Sequence, residues 1–518
     1  MSSSKSITKS ASVIGGATMI SRILGMVRDI IMAKFFGTGI YAQAFFVAFR
    51  MPNLMRELVG EGAANSAFVP VLVSELVKKG KDEFWKVANI LFNFFLIVIS
   101  IITIFGFILA PQIVYLTAPG FSADLSKFAV TVSLTRVIFP YLIFIGMAAY
   151  CMGLLNSLNH FAMPAFGPSM LNLSLILCML IFKTDVIGLA IGVLIGGLLQ
   201  VLIQLPPLIK HGIHFKENKI FHPAVQRIGK LLLPRTLGAG IYQINVIVTQ
   251  ILASFGMIVG SNAVAVLQYS NRIMLLPLAI FGNSLAQASL PTLSVHAASN
   301  DINKLKNTVK FLLRINIFIL LPATAGLIIF SRPVVRMLFE RGAFTGTDTA
   351  LTAAALTCYA IGLVACGAIK VFTNSYYAMH DTLTPAKLSV LSLGVNISLN
   401  ILLMYPLKAA GLALANSTAA ITHACMLYIF LIKKTGRIID LDVLKTFLKA
   451  LLASALMGVV CFFVYKFLNN ALPPGKTVYI VLNLLASIGI GMVFYAIFCA
   501  ILGMKEIKDL FLWILRKK

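Results

Sequence analysis

Long runs of apolar residues separated by short polar loops recur along the whole chain. A helix needs about 20 mostly apolar residues to cross the hydrocarbon core of a bilayer. Counting such runs predicts about 14 membrane-spanning helices and therefore an all-α polytopic membrane protein. The predicted spans are 11–36, 42–59, 87–109, 130–155, 166–182, 186–208, 231–255, 263–290, 308–330, 350–377, 388–405, 411–432, 447–468 and 478–502.

Short motifs recur in the second half of the chain at an offset of about 220 positions. NSLNHFAMP at 156–164 corresponds to NSYYAMHDTLTP at 374–385, and NLS at 172–174 to NIS at 396–398. The offset predicts two copies of a six-helix unit in the same orientation, because each copy spans an even number of helices. A parallel repeat implies a pseudo-two-fold axis along the membrane normal and a substrate site between the halves. The predicted domains are an N-lobe (1–208), an amphipathic connector (209–230), a C-lobe (231–433) and a C-terminal helix pair (434–518).

The charge content supports a membrane protein and indicates its orientation. Charged residues make up 12% of the chain, whereas soluble domains average about 25%. The net charge of +26 comes mainly from Lys and Arg in loops. The positive-inside rule then favours two cytoplasmic termini and explains the charge better than nucleic-acid binding does. The loop that carries Arg332, Arg336 and Arg341 does not fit this orientation.

The residue patterns of enzymes and metal proteins are absent from the sequence. The seven Cys are scattered without a CxxC pair, and the seven His form no cluster. We find no catalytic triad and no nucleotide-binding loop. The chain is therefore predicted to be a non-enzyme without a cofactor.

The first two predicted helices carry charges that a lipid-facing helix would exclude. A charge at bilayer depth costs several kcal/mol, so such residues usually face a water-filled cavity on a transport path. Arg22 and Asp29 share one helical face, and Pro52 with Asn53 is expected to interrupt the second helix. The charged residues of this stretch are Arg22, Arg28, Asp29, Arg50, Arg56, Glu57 and Glu61.

The second half adds further cations in apolar surroundings, namely Arg272 and Lys370. Buried cations exceed buried acids, and the planar guanidinium suits phosphate or carboxylate, so we expect an anionic ligand such as a pyrophosphate. Two alternatives stay open. Arg28 with Asp29 can be a structural ion pair, and Arg50, Arg56 and Glu57 can snorkel at the membrane surface.

At several motifs the chain resembles the MurJ/MviN family of lipid II flippases. These motifs are SRILGMVRD at 21–29, AFFVAFRMPNLMRELVGEGA at 44–63, APGF at 118–121, PAFGPSMLN at 164–172, LFERGAF at 338–344 and HDTLTP at 380–385. The resemblance implies the MOP-exporter fold, in which two six-helix lobes surround a cationic cavity and two C-terminal helices form a groove for the polyprenyl tail. It implies that the lipid II headgroup contacts Arg22, Arg28, Asp29, Arg56 and Arg272. Arg50, Glu57, Glu61 and Lys370 are secondary candidates.

The chain departs from the family pattern at positions that concern ion coupling. Many members have Asp where this chain has Gln43 and Asn271. Some members resemble sodium-binding transporters, and the corresponding positions here are Thr249 and Asn400, with Asn396 and Asn416 nearby. Neutral oxygens hold Na⁺ weakly. Thr249, Asn396, Asn400 and Asn416 are therefore weak Na⁺ candidates, and coupling to Na⁺, to protons or to the membrane potential stays open.

The resemblance leads to the hypothesis of an inner-membrane flippase that moves lipid II to the periplasmic leaflet by alternating access. The expected partners are lipid II, membrane lipids and cell-wall synthesis proteins, with the chain itself a monomer. One alternative is a flippase of another polyprenyl-linked oligosaccharide, such as an O-antigen unit. A multidrug cation exporter would need an acidic cavity. A non-transporting scaffold for cell-wall enzymes would move no lipid.

Overall fold

The computed structural model of the chain describes residues 2–57, 67–213, 219, 221–471 and 477–507. All regular structure in these ranges is helical, which confirms the predicted fold class. Glu61 lies outside the described residues.

Contacts divide the chain into two compact units, and the first comprises Met1–Gly256 and Arg341–Phe344. It therefore includes the helix that sequence analysis assigned to the start of the C-lobe; the lobes themselves stay a prediction. Its helices are α1 (Ser2–Phe36), α2 (Ile40–Met55), α3 (Val69–Ile108), α4 (Ala110–Thr117), α5 (Leu125–Ile138), α6 (Tyr141–Ser157), α7 (Ala162–Phe182), α8 (Ile187–Leu202), α9 (Leu205–Lys210) and α10 (Pro223–Ser254).

Helix α7 is the packing centre for α1 and α8. A Cβ atom at Gly196 would lie 2.9 Å from the Leu171 Cα, and one at Gly192 would lie 3.2 Å from the Leu175 Cα. Only glycine allows the α7 and α8 backbones to approach this closely. Gly192 and Gly196 are thus close-packing positions.

Helix α3 begins well before the predicted span at 87–109 and includes the polar segment that precedes it. The helix is kinked at Gly80, which has a φ of +86° that residues with a Cβ rarely adopt. Beyond the kink, Phe84 and Ile90 pack with Leu154 of α6 and Ile228 of α10 in one buried cluster. This cluster ties the start of α10 to the first unit.

The second unit comprises Met257–Glu340 and Thr345–Lys518. Helix α18 contains two predicted spans, with non-helical geometry at Lys408 (φ +53°) between them. The helices after α10 are α11 (Gly256–Val259), α12 (Ala263–Pro277), α13 (Asn283–Ala298), α14 (Ile302–Ile329), α15 (Ser331–Phe339), α16 (Gly346–Ile361), α17 (Leu363–Ala378), α18 (Leu383–Thr435), α19 (Leu441–Ala471) and α20 (Thr477–Ile501).

The C-terminal pair α19 and α20 packs on α14. Met457, Leu484 and Tyr495 are buried at this contact, and the Tyr495 hydroxyl donates to the Phe318 carbonyl at 2.8 Å. The opposite faces of both helices carry exposed large apolar side chains, such as Phe463. Exposed apolar area on this scale is typical of a lipid-facing surface.

In the described part of the chain, nine helices are long and apolar enough to cross a membrane, or ten if the bent pair α16–α17 counts as one span. The protein is therefore a multi-pass membrane protein. Helix α2 has only 16 residues, and the apolar part of α10, Gln243–Ser254, is also short. The predicted number of about 14 spans stays a prediction.

Candidate functional site

Arg28 and Asp29 of α1 form a close ion pair. The Arg28 Nη2 and Nε lie 2.6 and 2.9 Å from Oδ1 of Asp29. Asp29 is buried, whereas Arg28 is partly exposed. Arg22 is exposed on the same helix. The ion pair holds the Arg28 guanidinium in one orientation on α1.

Asn172 of α7 completes this cluster, and sequence analysis did not include it among the site residues. Its Oδ1 accepts a 3.1 Å hydrogen bond from Arg28 Nη1, and its Nδ2 donates at 3.1 Å to the Ser21 carbonyl. Asn172 thus fixes the guanidinium against the helix that carries it. The available signal was its place in PAFGPSMLN, within a motif that repeats in the second half.

The end of α2 brings Arg56 and Glu57 into a second polar cluster. Arg56 Nε donates at 3.1 Å to Asn53 Oδ1, and Asn53 Nδ2 donates at 2.9 Å to Glu57 Oε1. The direct Arg56–Glu57 ion pair is longer, at 3.8 Å. Within this cluster, a neutral amide therefore holds Arg56 more closely than the carboxylate does.

The expected break of α2 at Pro52 and Asn53 is wrong. The helix continues through Pro52 to Met55, and a π-helical turn follows at Arg56 and Glu57. Pro52 removes one backbone hydrogen bond to the preceding turn, but it does not end the helix. In the second unit a π-helical turn, Leu278–Gly282, follows Pro277 in the same way. Such turns are frequent at functional sites.

Two glutamines of α10 also reach the charged residues of α2. Gln250 Oε1 accepts a 2.9 Å hydrogen bond from Arg50 Nε, and Gln243 Nε2 donates to Glu57 Oε2. Both glutamines are buried. Sequence analysis missed them because an isolated Gln in an apolar run gives no pattern of its own.

Lys127 is a buried cation that sequence analysis also missed. Its Nζ donates at 2.9 Å to Oε1 of Gln43 and lies 4.0 Å from the centre of the Phe121 ring. Gln43 in turn donates from Nε2 to the Thr38 carbonyl at 2.9 Å. An amide and an aromatic face thus contact this ammonium group, which increases the excess of cations in the first unit.

The remaining predicted residues lie in the second unit. Arg272 is partly buried on α12, whereas Lys370 is exposed on α17. Because Arg272 and Lys370 belong to another compact unit, their arrangement relative to the residues on α1 and α2 stays a prediction.

Comparisons with known proteins agree along almost the whole chain. A family model described as "Lipid II flippase MurJ" matches residues 32–483. The "Probable lipid II flippase MurJ" of Rickettsia prowazekii is 35% identical over 461 residues, which cover 87% of this chain and 89% of that protein. The protein of the same name from Rhizobium tropici is 34% identical over 508 residues, which cover 95% and 94%. The chain belongs to the MurJ family.

Solved structures agree with MurJ membership. The structure "Lipid II flippase MurJ, inward closed conformation" matches with a TM-score of 0.79 and 30% identity, over 94% of this chain and 99% of that one. An inward-facing multidrug resistance MATE transporter of the MOP superfamily matches with a TM-score of 0.68 and 15% identity, over 82% and 98%. The second likeness concerns the fold alone, so it gives no support to the multidrug-exporter alternative.

Sodium coupling, which the resemblance to some MurJ proteins raised, meets a poor set of ligands. Asn396 Nδ2 donates at 3.2 Å to Asn416 Oδ1, and Asn400 Nδ2 donates at 2.5 Å to Asn396 Oδ1. Two of the three amide oxygens are thus already engaged; the buried Asn400 Oδ1 has no hydrogen-bond partner within the described residues. Thr249 belongs to the first unit and donates to the Asn245 carbonyl.

No group of three or more His, Cys, Asp or Glu that could hold a metal occurs in the described ranges. The candidate oxygens are all neutral, and two of them already accept hydrogen bonds. They therefore form a weak set of ligands for Na⁺.

Proposed function

We propose that this chain is a lipid II flippase, which moves the undecaprenyl-pyrophosphate-linked peptidoglycan precursor from the cytoplasmic to the periplasmic leaflet by alternating access. The observation that carries the proposal is the family match over residues 32–483. The proposal places the chain in the cytoplasmic membrane as a monomer, with both termini in the cytoplasm. The chain acts as a transporter and not as an enzyme.

The headgroup contacts are assigned to Arg22, Arg28, Asp29, Arg56 and Arg272. A guanidinium binds phosphate oxygens through two parallel hydrogen bonds, so a few arginines can hold a pyrophosphate firmly. Arg56 is suited to this role because the neutral Asn53 amide orients its guanidinium. Arg28 is held in a defined orientation by Asp29 and Asn172.

The polyprenyl tail is assigned to the bilayer and to the C-terminal pair α19 and α20. A tail of that length cannot enter a polar cavity without a large hydrophobic cost. The exposed apolar faces of these two helices offer a surface of matching chemistry. Membrane lipids and cell-wall synthesis proteins are the other expected partners.

The membrane potential is the simplest energy source. An anionic headgroup that moves outward travels down an inside-negative potential, at about 2.3 kcal/mol per charge per 100 mV. Protons remain the other candidate. Translocation measured in cells whose membrane potential, proton gradient and sodium gradient are collapsed one at a time tells these sources apart.

Reconstitution tests the proposed function directly. Purified chain in proteoliposomes should move labelled lipid II across the bilayer, whereas liposomes without protein should not. Movement of another polyprenyl-linked oligosaccharide, but not of lipid II, would support the alternative substrate. Folded protein that moves neither lipid would support the scaffold alternative.

A further inference from the structure

Two contacts connect α2 with α10, and they share one spacing. Arg50 bonds Gln250, and Glu57 bonds Gln243. Arg50 and Glu57 are seven positions apart, and so are Gln243 and Gln250. The earlier residue of one helix contacts the later residue of the other, because the two helices are antiparallel. Seven residues make two turns, or about 10.5 Å, on one helical face. The two contacts therefore form a ladder with two rungs, which we call the α2–α10 ladder.

The ladder extends to Arg56. Glu57 accepts from Gln243 at Oε2 and from Asn53 at Oε1, and Asn53 accepts from Arg56. Gln243 thus fixes the Glu57 carboxylate, which fixes the Asn53 amide. That amide in turn orients the Arg56 guanidinium. A change at Gln243 is expected to reach Arg56 through two intervening side chains.

Burial makes the rungs persistent. The exposed fractions of Gln243 and Gln250 are 8% and 5%, and a buried polar group without a hydrogen bond costs about 1–3 kcal/mol. Gln250 is anchored further, because its Nε2 donates to the Thr117 carbonyl at 3.3 Å. Loss of the partner on α2 would therefore be energetically costly for each glutamine.

The contact between α2 and α10 is made mainly by side chains and not by closely packed backbones. In the described parts of the two helices, α2 packs mainly against α5 and α10 mainly against α3. Long Arg, Glu and Gln side chains bridge the remaining distance. The orientation of the charged face of α2 thus depends on amide groups supplied by α10.

We propose that Gln243 and Gln250 are positioning residues for headgroup binding, which hold Arg56 and the secondary candidate Arg50 in the orientation that meets the phosphates. The proposal rests on the proposed function. It adds that α10, the first helix of the second sequence repeat, sets the geometry of arginines in the first repeat. Movement of α10 during transport would then change the affinity for the headgroup.

The test measures initial rates of lipid II translocation in proteoliposomes against the mole fraction of lipid II. Gln243→Leu and Gln250→Leu keep the side-chain size but remove the amide. The loss of one oriented hydrogen bond predicts a rise of about 3- to 10-fold in the lipid II fraction at half-maximal rate. The maximal rate should stay within about twofold of wild type, since the arginines themselves remain.

Gln204→Leu is the matched control. Gln204 is also buried, but its amide donates to the Ala148 and Gln200 carbonyls instead of to a charged residue. Its loss should lower thermal stability without raising the lipid II fraction at half-maximal rate. If Gln243→Leu and Gln250→Leu behave as Gln204→Leu does, their role is structural and the proposal is wrong.

Exchanging the side chains of Gln243 and Glu57 gives a second readout. A loss of stability alone would not produce the expected result. Gln243→Glu places two carboxylates together and should raise the half-saturating lipid II fraction further. Glu57→Gln added to Gln243→Glu restores one donor and one acceptor and should bring that fraction back to within about twofold of wild type. Failure of the swap to restore it would overturn the proposal. Wild-type protein that moves no lipid II would instead defeat the proposed function.

Discussion

Arg28 of α1 donates a 3.1 Å hydrogen bond from Nη1 to Oδ1 of Asn172 of α7, across 144 positions of the chain. The same Asn172 amide donates back to the Ser21 carbonyl on α1. This arrangement connects the arginine that we assign to the headgroup with the packing centre of the first unit.

Replacing Asn172 with Leu should weaken headgroup binding without unfolding the protein. The guanidinium keeps Asp29 but loses its second anchor, which is a loss of about 1–1.5 kcal/mol. The lipid II fraction at half-maximal translocation should therefore rise severalfold. Asn316→Leu is the control, because the buried Asn316 amide donates to the Val364 carbonyl and not to a charged residue. Equal half-saturation in Asn172→Leu and wild type would show that Asn172 does not position Arg28.

The short segment Arg341–Phe344 lies against the end of α1, where the Ala343 N–H donates to the Lys34 carbonyl at 2.8 Å. Gly342 has a φ of +60°, and a Cβ there would lie 2.3 Å from the Lys34 carbonyl oxygen. Gly342→Ala combines backbone strain with a clash that only a shift of the segment relieves.

Gly342→Ala should therefore lower the thermal unfolding midpoint in detergent and reduce translocation. Gly503→Ala is the matched control, because Gly503 has a φ of +63° but a Cβ added there would meet no described atom within 4 Å. It should lower the midpoint less, by the backbone strain of about 1–2 kcal/mol alone. Equal effects of the two substitutions would mean that the contact with α1 contributes nothing.

The sequence pattern predicted the all-helical class, because long apolar runs are a local signal, and it identified the charges on α1 and α2 as unusual for lipid-facing helices. It could not predict the partners of those charges. Asn172, Gln243 and Gln250 approach their arginine or glutamate partners only after helices distant in the chain have packed. The path of α2 through Pro52 was also mispredicted, since the helix loses one backbone hydrogen bond at this proline and still continues to Met55.

Acid should weaken the loop between α17 and α18 through Asp381. Burial raises the pKa of the Asp381 carboxyl, but hydrogen bonds from Lys434 and Thr384 outweigh burial and hold this pKa at about 2, below the usual 3.8. A depressed folded-state pKa contributes stability that is complete above about pH 4 and is lost as the pH falls through about 2.

Asp381→Asn should therefore lower the unfolding midpoint at pH 7 by roughly 1–3 °C and should flatten its decline between pH 4 and pH 2. Thermal unfolding of the purified protein across this pH range is the measurement. Asp442→Asn, at an exposed position in the first turn of α19, is the control and should change neither value. An unchanged acid profile in Asp381→Asn would contradict the assigned role of the Lys434 contact.

Sodium should not be required for transport. Asn396 and Asn416 already accept hydrogen bonds through their amide oxygens, and neutral oxygens alone bind Na⁺ weakly. Replacing Na⁺ by K⁺ or choline on both sides of the proteoliposome membrane should leave the rate of lipid II translocation within about twofold. A drop of about tenfold or more that returns with added Na⁺ would show that this chain holds Na⁺ despite its ligands.

The central claim is that arginines bind the headgroup of lipid II, and translocation by arginine variants in proteoliposomes tests it most directly. Arg28→Ala and Arg272→Ala should each lower the rate about tenfold or more at limiting lipid II, and Lys at either position should restore part of it. Arg136→Ala, at an exposed arginine that lies over the Phe107 ring, should keep the wild-type rate. Folded Arg28→Ala and Arg272→Ala proteins that move lipid II as fast as wild type would contradict the account.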